Sequence, residues 1–231
     1  MQGGETSLGQ LVRVKGIDSV ARSNSDTMSS VAGLIPLGKT NIQPASQMFA
    51  RAFQDDSLLA YLIPDSAKRR YLSPRMYRCA LRYGFYYGHV LATSANLEGV
   101  TIWLPPEAAH GSVPMMLRAG LLSLFFTIGP QFVARFLVFY QHLDRLRQEH
   151  TPFRHWYLQL LGVDPEHQGR GHATALLNPM LTRLDHERLP CCLDTMNGDN
   201  VAFYERFGFR VVAKSLVPKT EFGLWLMARG G

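Results

Sequence analysis

The chain has 231 residues, 46% of them hydrophobic, which suffices to bury a sizeable core in one large domain. Its formal charge of +6 favours polyanionic partners without choosing among them. Cys79, Cys191 and Cys192 are an odd count with an adjacent pair, which excludes a disulfide framework and any zinc-ligand spacing, so buried packing thiols in a reducing cytoplasm are expected.

Residues 1–30 read as a disordered tail, since "ARSNSDTMSS" is polar and no period of 2 or 3.6 is sustained before it. They also lack the continuous apolar run of a secretory signal. A single domain is expected over 31–231. It opens with a short strand in "VAGLIPLG", then a helix from about Pro44 through "ASQMFARAFQ". Ser73 followed by Pro74 predicts an N-cap and first helical position, opening a helix to about Arg82. That helix carries the densest positive charge, with Arg75, Arg78 and Arg82 on one face. A solvated face is the plain reading and a nucleic-acid surface the weaker one, because no binding motif accompanies it.

"GHVLATS" and "GVTIWLPP" predict a β-hairpin turning near Asn96. From Pro114 to Glu149 the pattern is helical, broken at Gly129-Pro130 and apolar on nearly every side in its first half, as a buried segment or the roof of an apolar pocket would be. Its uncharged stretch, 119–134, is shorter than the ~20 residues of a membrane-spanning helix, so no membrane partner is assigned. Beyond His155 short strands alternate with helices: "HWYLQLLGV" as a strand, Gly171 to about Leu184 as a helix, "CCLDT" as a strand, Asn200–Phe207 as a helix closed by Gly208, then strands "FRVVA" and "FGLWLMA". The alternation predicts an α/β architecture around one sheet.

"PEHQGRGHATALL" poses the functional question. Ala173, Leu176, Leu177, Met180, Leu181 and Leu184 make one apolar stripe, so the helix docks and its N-terminus is fixed. Unpaired N–H groups and the helix dipole make that end an anion site, Gly169 and Gly171 remove side chains from it, and Arg170 adds charge. A pyrophosphate suits it; a strand-to-helix turn needing positive φ is the plain alternative.

This segment resembles the acyl-CoA-binding motif of the GNAT superfamily of N-acetyltransferases, Gln/Arg-x-x-Gly-x-Gly/Ala, matched by Gln168, Gly171 and Ala173. "NVAFYERFGF" is similar to the second hallmark of the superfamily, through Asn200, Tyr204, Glu205, Gly208 and Phe209. The upstream "AFQDDSLLAYLIPD" and "VTIWLPP", with Pro179, are similar to a subgroup that includes puromycin N-acetyltransferase. The resemblance implies a GNAT fold, a central mixed and mostly antiparallel sheet flanked by helices, with a helical insertion between the hairpin and the cofactor-binding strand. It implies acetyl transfer from acetyl-CoA, the co-substrate, to the amine of a small molecule by direct attack. It assigns CoA contacts to residues 168–173, His172 standing where relatives place an aliphatic residue, and backbone donors for the carbonyl oxygen to Leu161, Gly162 and Val163. Asn200 would hold the pantetheine arm or cap its helix, and Tyr204 would protonate the leaving thiolate or simply pack.

No carboxylate precedes the motif, since Gln159 occupies the strand position where a base would be sought. Asp194 ranks first as base, His155 second, and loss of the proton through bound water is a third route. The alternative function is a non-catalytic acyl-CoA-binding or regulatory module. A homodimer is left open, and no metal ligand set is present in the sequence pattern.

Overall fold

The computed structural model describes residues 33–230, so the expectation for 1–30 lies outside the described residues. Seven strands form one sheet: β1 (Ile35–Pro36), β2 (His89–Ala92), β3 (Gly99–Leu104), β4 (Trp156–Val163), β5 (Cys191–Thr195), β6 (Arg210–Leu216) and β7 (Gly223–Arg229). Their order is β1-β2-β3-β4-β5-β7-β6. Only β4 and β5 run parallel; the other neighbours are antiparallel. The hairpin, the alternation after His155 and the mixed sheet agree with the sequence reading.

The long helical segments differ from expectation in two places. After α1 (Ile42–Ala52) and α2 (Ser57–Leu62), α3 runs unbroken over Ser66–Tyr87 with Pro74 inside it. Ser73 is therefore not its cap: Asp65 is, accepting a hydrogen bond from the Lys68 N–H at 2.9 Å. Pro74 removes one N–H donor and leaves the carbonyl four residues back, on exposed Arg70, to water, so the helix continues. The 106–150 region holds α4 (Pro106–Ala109), α5 (Val113–Ala119), α6 (Leu121–Thr127) and α7 (Pro130–His150). The expected break at Gly129 is present, and a second falls at Gly120, where φ is +117° and a side chain would be strained.

The remaining helices are α8 (His172–Glu187), which passes through Pro179, and α9 (Asp199–Glu205). Leu176, Leu177, Met180, Leu181 and Leu184 of α8 are all buried, as their spacing predicts. Burying a leucine of this kind stabilises the fold by about 2 kcal/mol, so the stripe holds the start of α8 firmly beside β4. A single apolar core joins α1, α3 and the β2–β3 hairpin to α5 and α6, while α7 packs Phe139, Leu143 and Leu146 against Val217, Leu224 and Leu226.

Two irregularities of β4 prepare the site. β3 pairs Ile102 with Leu160 and Trp103 with Leu158, so Gln159 is the extra residue of a bulge. On its other edge β4 pairs with β5 only from Trp156 to Leu158, although both strands continue. Past Leu158 the strands part, and the backbone groups on that edge of β4 face no strand.

Candidate active site

The turn between β4 and α8 is built to leave its backbone bare. Asp164 is buried, bonded to the Arg51 guanidinium (Nε–Oδ2 3.1 Å) and accepting from the Glu166 N–H at 3.3 Å. Burial alone would raise its carboxyl, but these bonds hold it below the ordinary carboxylate range. Gln168 turns back and donates from Nε2 to the Val163 carbonyl at 3.2 Å. Gly169 and Gly171 follow with φ of +74° and +84°, and added Cβ atoms would meet nothing within 4 Å. The N–H groups of residues 169–171 donate to no group among the described residues. Arg170 is exposed at the tip, and His172, whose ring lies 6.0 Å from that of His167, opens α8. The donor set fits a pyrophosphate.

A cavity of about 270 Å³ reaches between β4 and β5 and on beneath α5, α6 and α7. Gln159, Leu160 and Leu161 line it from β4, and Asp194 and Thr195 from β5. Gly162 and Val163 do not line it. An added Cβ on Gly162 would fall 2.7 Å from the Phe49 ring, so that glycine lets α1 pack on the sheet. Leu161 is thus the one of the three proposed carbonyl-donor positions that reaches the cavity, two residues beyond the bulge.

Asn200 and Tyr204, one turn apart on α9, also line the cavity. Asn200 donates from Nδ2 to Thr195 Oγ1 at 3.3 Å, and Gly198, not Asn200, occupies the N-cap position of α9. Tyr204 is 8% exposed, and its hydroxyl makes no hydrogen bond to any described residue. Burial, with a smaller contribution from the Asp194 charge, pushes that phenol well up, so it stays protonated at neutral pH.

Asp194 lies on the cavity wall, but its Oδ1 is committed to two partners. It pairs with Arg147 of α7 at 3.1 Å and accepts from the Tyr157 hydroxyl. The Arg147 guanidinium is buried and sits 3.6 Å from the Tyr157 ring centroid. His155 is buried away from the cavity: its Nδ1 bonds the Phe153 carbonyl at 2.7 Å, its Nε2 is unpaired, and desolvation lowers its pKa.

A third carboxylate went unread in the sequence. Asp56 lines the cavity and caps α2, its Oδ1 accepting from the Leu59 N–H at 3.1 Å. No cation pairs with it among the described residues, and burial raises its pKa despite the capping bonds. "DDSLL" announces a helix cap; nothing local shows that α2 carries the cap over a cavity.

The apolar remainder of the wall comes from the helical insertion: Met116, Leu121, Leu124, Phe132 and Phe136 face inward. Tyr140 and Tyr83 brace it through bonds to the carbonyls of Gly111 (2.8 Å) and Ala108 (3.2 Å). Burial pushes the Cys192 thiol up to about 12 and that of Cys79, which lines the cavity, up to about 11, and all three cysteines are free.

A glycine turn opening a docked helix, a parallel strand pair that parts at a bulge, and an asparagine and tyrosine one turn apart across the gap form one arrangement. Residues 132–211 match the family model for the acetyltransferase (GNAT) domain. The chain has the GNAT fold. It is similar to a Corynebacterium glutamicum protein solved as a histone acetyltransferase and related acetyltransferase, at 20% identity over 85% of this chain and 94% of that one, TM-score 0.56. Arylalkylamine N-acetyltransferase 2 of Aedes aegypti matches at 12% identity over 85% and 97%, TM-score 0.55. The polyamine N-acetyltransferase of Drosophila melanogaster, which forms N-acetylagmatine, matches at 12% over 86% and 99%, also at 0.55. In this GNAT fold the helical insertion of residues 106–150 supplies the apolar half of the cavity.

Proposed function

We propose that the protein transfers the acetyl group of acetyl-CoA to the amine of a small molecule with a hydrophobic or aromatic body. The observation that carries this reading is a cavity that joins the parted β4–β5 edge and Tyr204 to an apolar chamber lined by Asp56, with which no cation pairs among the described residues. The names of the amine-acetylating structural neighbours agree with it. So does the similarity of the upstream segments to the puromycin N-acetyltransferase subgroup. Free thiols suit a reducing cytoplasm.

The turn at residues 168–173 receives the pyrophosphate, with Arg170 as a flanking charge. The acyl arm lies along the open edge of β4, near Leu161, with Asn200 opposite. The amine attacks the thioester carbonyl, a C–N bond forms, and backbone donors of β4 meet the charge gathered on oxygen. The C–S bond breaks, and Tyr204 gives its proton to the departing sulfur. We assign the amine proton to Asp56 in preference to Asp194. Asp56 has a raised pKa and no cation, whereas Asp194 is held by Arg147 and Tyr157. With one arginine against two aspartates on the wall, the chamber favours an ammonium over an amine that also bears a carboxylate.

An amine panel scored by acetyl-CoA-dependent thiol release tests the reading. Turnover of amines with apolar bodies, and poor turnover of amino acids, is the expected outcome. CoA binding without turnover of any amine would favour the non-catalytic module, and a preference for small hydrophilic amines would overturn the assignment of the chamber.

A further inference from the structure

The two short helices over the cavity are apolar on both faces. Inward, Met116, Ala119, Leu121 and Leu124 are buried. Outward, Val113 (58% exposed) and Leu117 stand one turn apart on α5, and Leu122 (57%), Phe125 and Phe126 (76%) follow on α6. The two phenyl rings meet edge to face at 5.4 Å. A helix serving only as a wall would be polar outside; this outer surface is apolar and adjoins solvent.

Its rim is cationic. Arg118 of α5 and Lys39 both sit over the Tyr86 ring, at 5.0 and 5.8 Å, and the Arg82 guanidinium lies beside Gly120 at the α5–α6 joint. All three are exposed, and no carboxylate pairs with any of them among the described residues. The sequence keeps the neighbourhood free of acid: no Asp or Glu occurs in 66–97 or in 108–143.

From this combination we infer that the outer face of α5–α6 docks on an anionic lipid surface, Leu117, Leu122, Phe125 and Phe126 entering the interface while Lys39, Arg82 and Arg118 meet the headgroups. The expectation of no membrane partner rests on the absence of a spanning segment, and no helix among the described residues is long and apolar enough to cross a membrane. That argument does not bear on a surface contact. A second copy of this chain is the poorer occupant, because a two-fold contact would set the cationic rims against each other. A nucleic acid would leave the aliphatic side chains with nothing to bury against.

Co-sedimentation of the full chain with vesicles decides the matter, and it does not depend on acetyl transfer. Binding is expected to vesicles containing phosphatidylglycerol, to be weak on pure phosphatidylcholine, and to fall with salt. Replacing Lys39, Arg82 or Arg118 with Gln should weaken it about fivefold each. Phe125→Ser with Phe126→Ser should weaken it about tenfold or more, at unchanged melting temperature. Absence of binding to anionic vesicles, or equal binding of the serine variant, would overturn the inference. So would a dimer found by sedimentation without lipid and lost in the serine variant, which would make the face a self-contact.

Discussion

The two halves of the cavity are made in different ways. The β4 side, with the glycine turn that follows it, works through backbone: N–H groups at 169–171 that donate to no described residue and an open strand edge past Leu158, faced by Tyr204. The α2–α7 side works through side-chain bulk, with buried Leu, Met and Phe and, in Asp56, a carboxylate with which no cation pairs among the described residues. Backbone recognition needs glycine and fixed dihedrals, which confines it to a short motif. Apolar recognition needs only volume, which many sequences satisfy. Changes in the first half should therefore alter acetyl-CoA use for every amine, and changes in the second should alter which amine is taken.

Tyr204→Phe should break the first half most severely. The ring and its packing remain, so melting temperature and CoA affinity should hold while kcat falls by about 10²- to 10⁴-fold in stopped-flow or steady-state assays. Full turnover in this variant would make Tyr204 a packing residue. In the second half, Phe136→Ala should raise KM for an apolar amine by about tenfold or more and leave CoA affinity alone, as calorimetry can check. A parallel loss of CoA binding would mean that the halves are not separable.

Gly171→Asp places a carboxylate where phosphate oxygens would lie. Calorimetric CoA affinity should drop by about tenfold or more while the fold survives, although φ of +84° adds strain. A smaller effect is expected at His89, outside both halves. Desolvation, with the Arg183 charge in support, depresses its imidazole to about 4. Between pH 6.5 and about 4 the unfolded chain binds a proton that the folded chain refuses, so stability is lost as the pH is lowered through that window, by about 3 kcal/mol at most. His89→Phe should flatten that part of a melting-temperature profile.

The same contrast explains what could be read in advance. The α8 stripe, the glycine turn, the hairpin and the alternation after His155 each leave a periodic or conformational signature in adjacent residues. The Ser73-Pro74 reading failed because a proline tolerated at one unpaired carbonyl looks locally like a helix start, and the true cap, Asp65, lies eight residues earlier. Asp194 falls on the strand legible in "CCLDT" and lines the cavity. Its neutralising partner, Arg147, is 47 residues away, and no local pattern reveals a buried ion pair of that kind. Asp56 was hidden for the converse reason, since its cap is local but the chamber beneath it is assembled from α3, α5, α6 and α7.

Asp56 as proton acceptor, in a cavity shared by both substrates, is the assignment on which the proposed reaction depends most. Asn caps a helix as well as Asp does, so Asp56→Asn removes the base and preserves α2. The decisive measurement is the pH profile of kcat/KM for an apolar primary amine in the wild type and in this variant. The wild-type profile should lose activity on its acidic side at a pH above the ordinary carboxylate value of 3.8, because burial raises the Asp56 pKa. The variant, at unchanged melting temperature and CoA affinity, should be slower by about 10²- to 10⁴-fold at neutral pH and recover as rising pH deprotonates the amine in solution. Wild-type turnover by Asp56→Asn at neutral pH, with the acidic limb unmoved, would contradict the account.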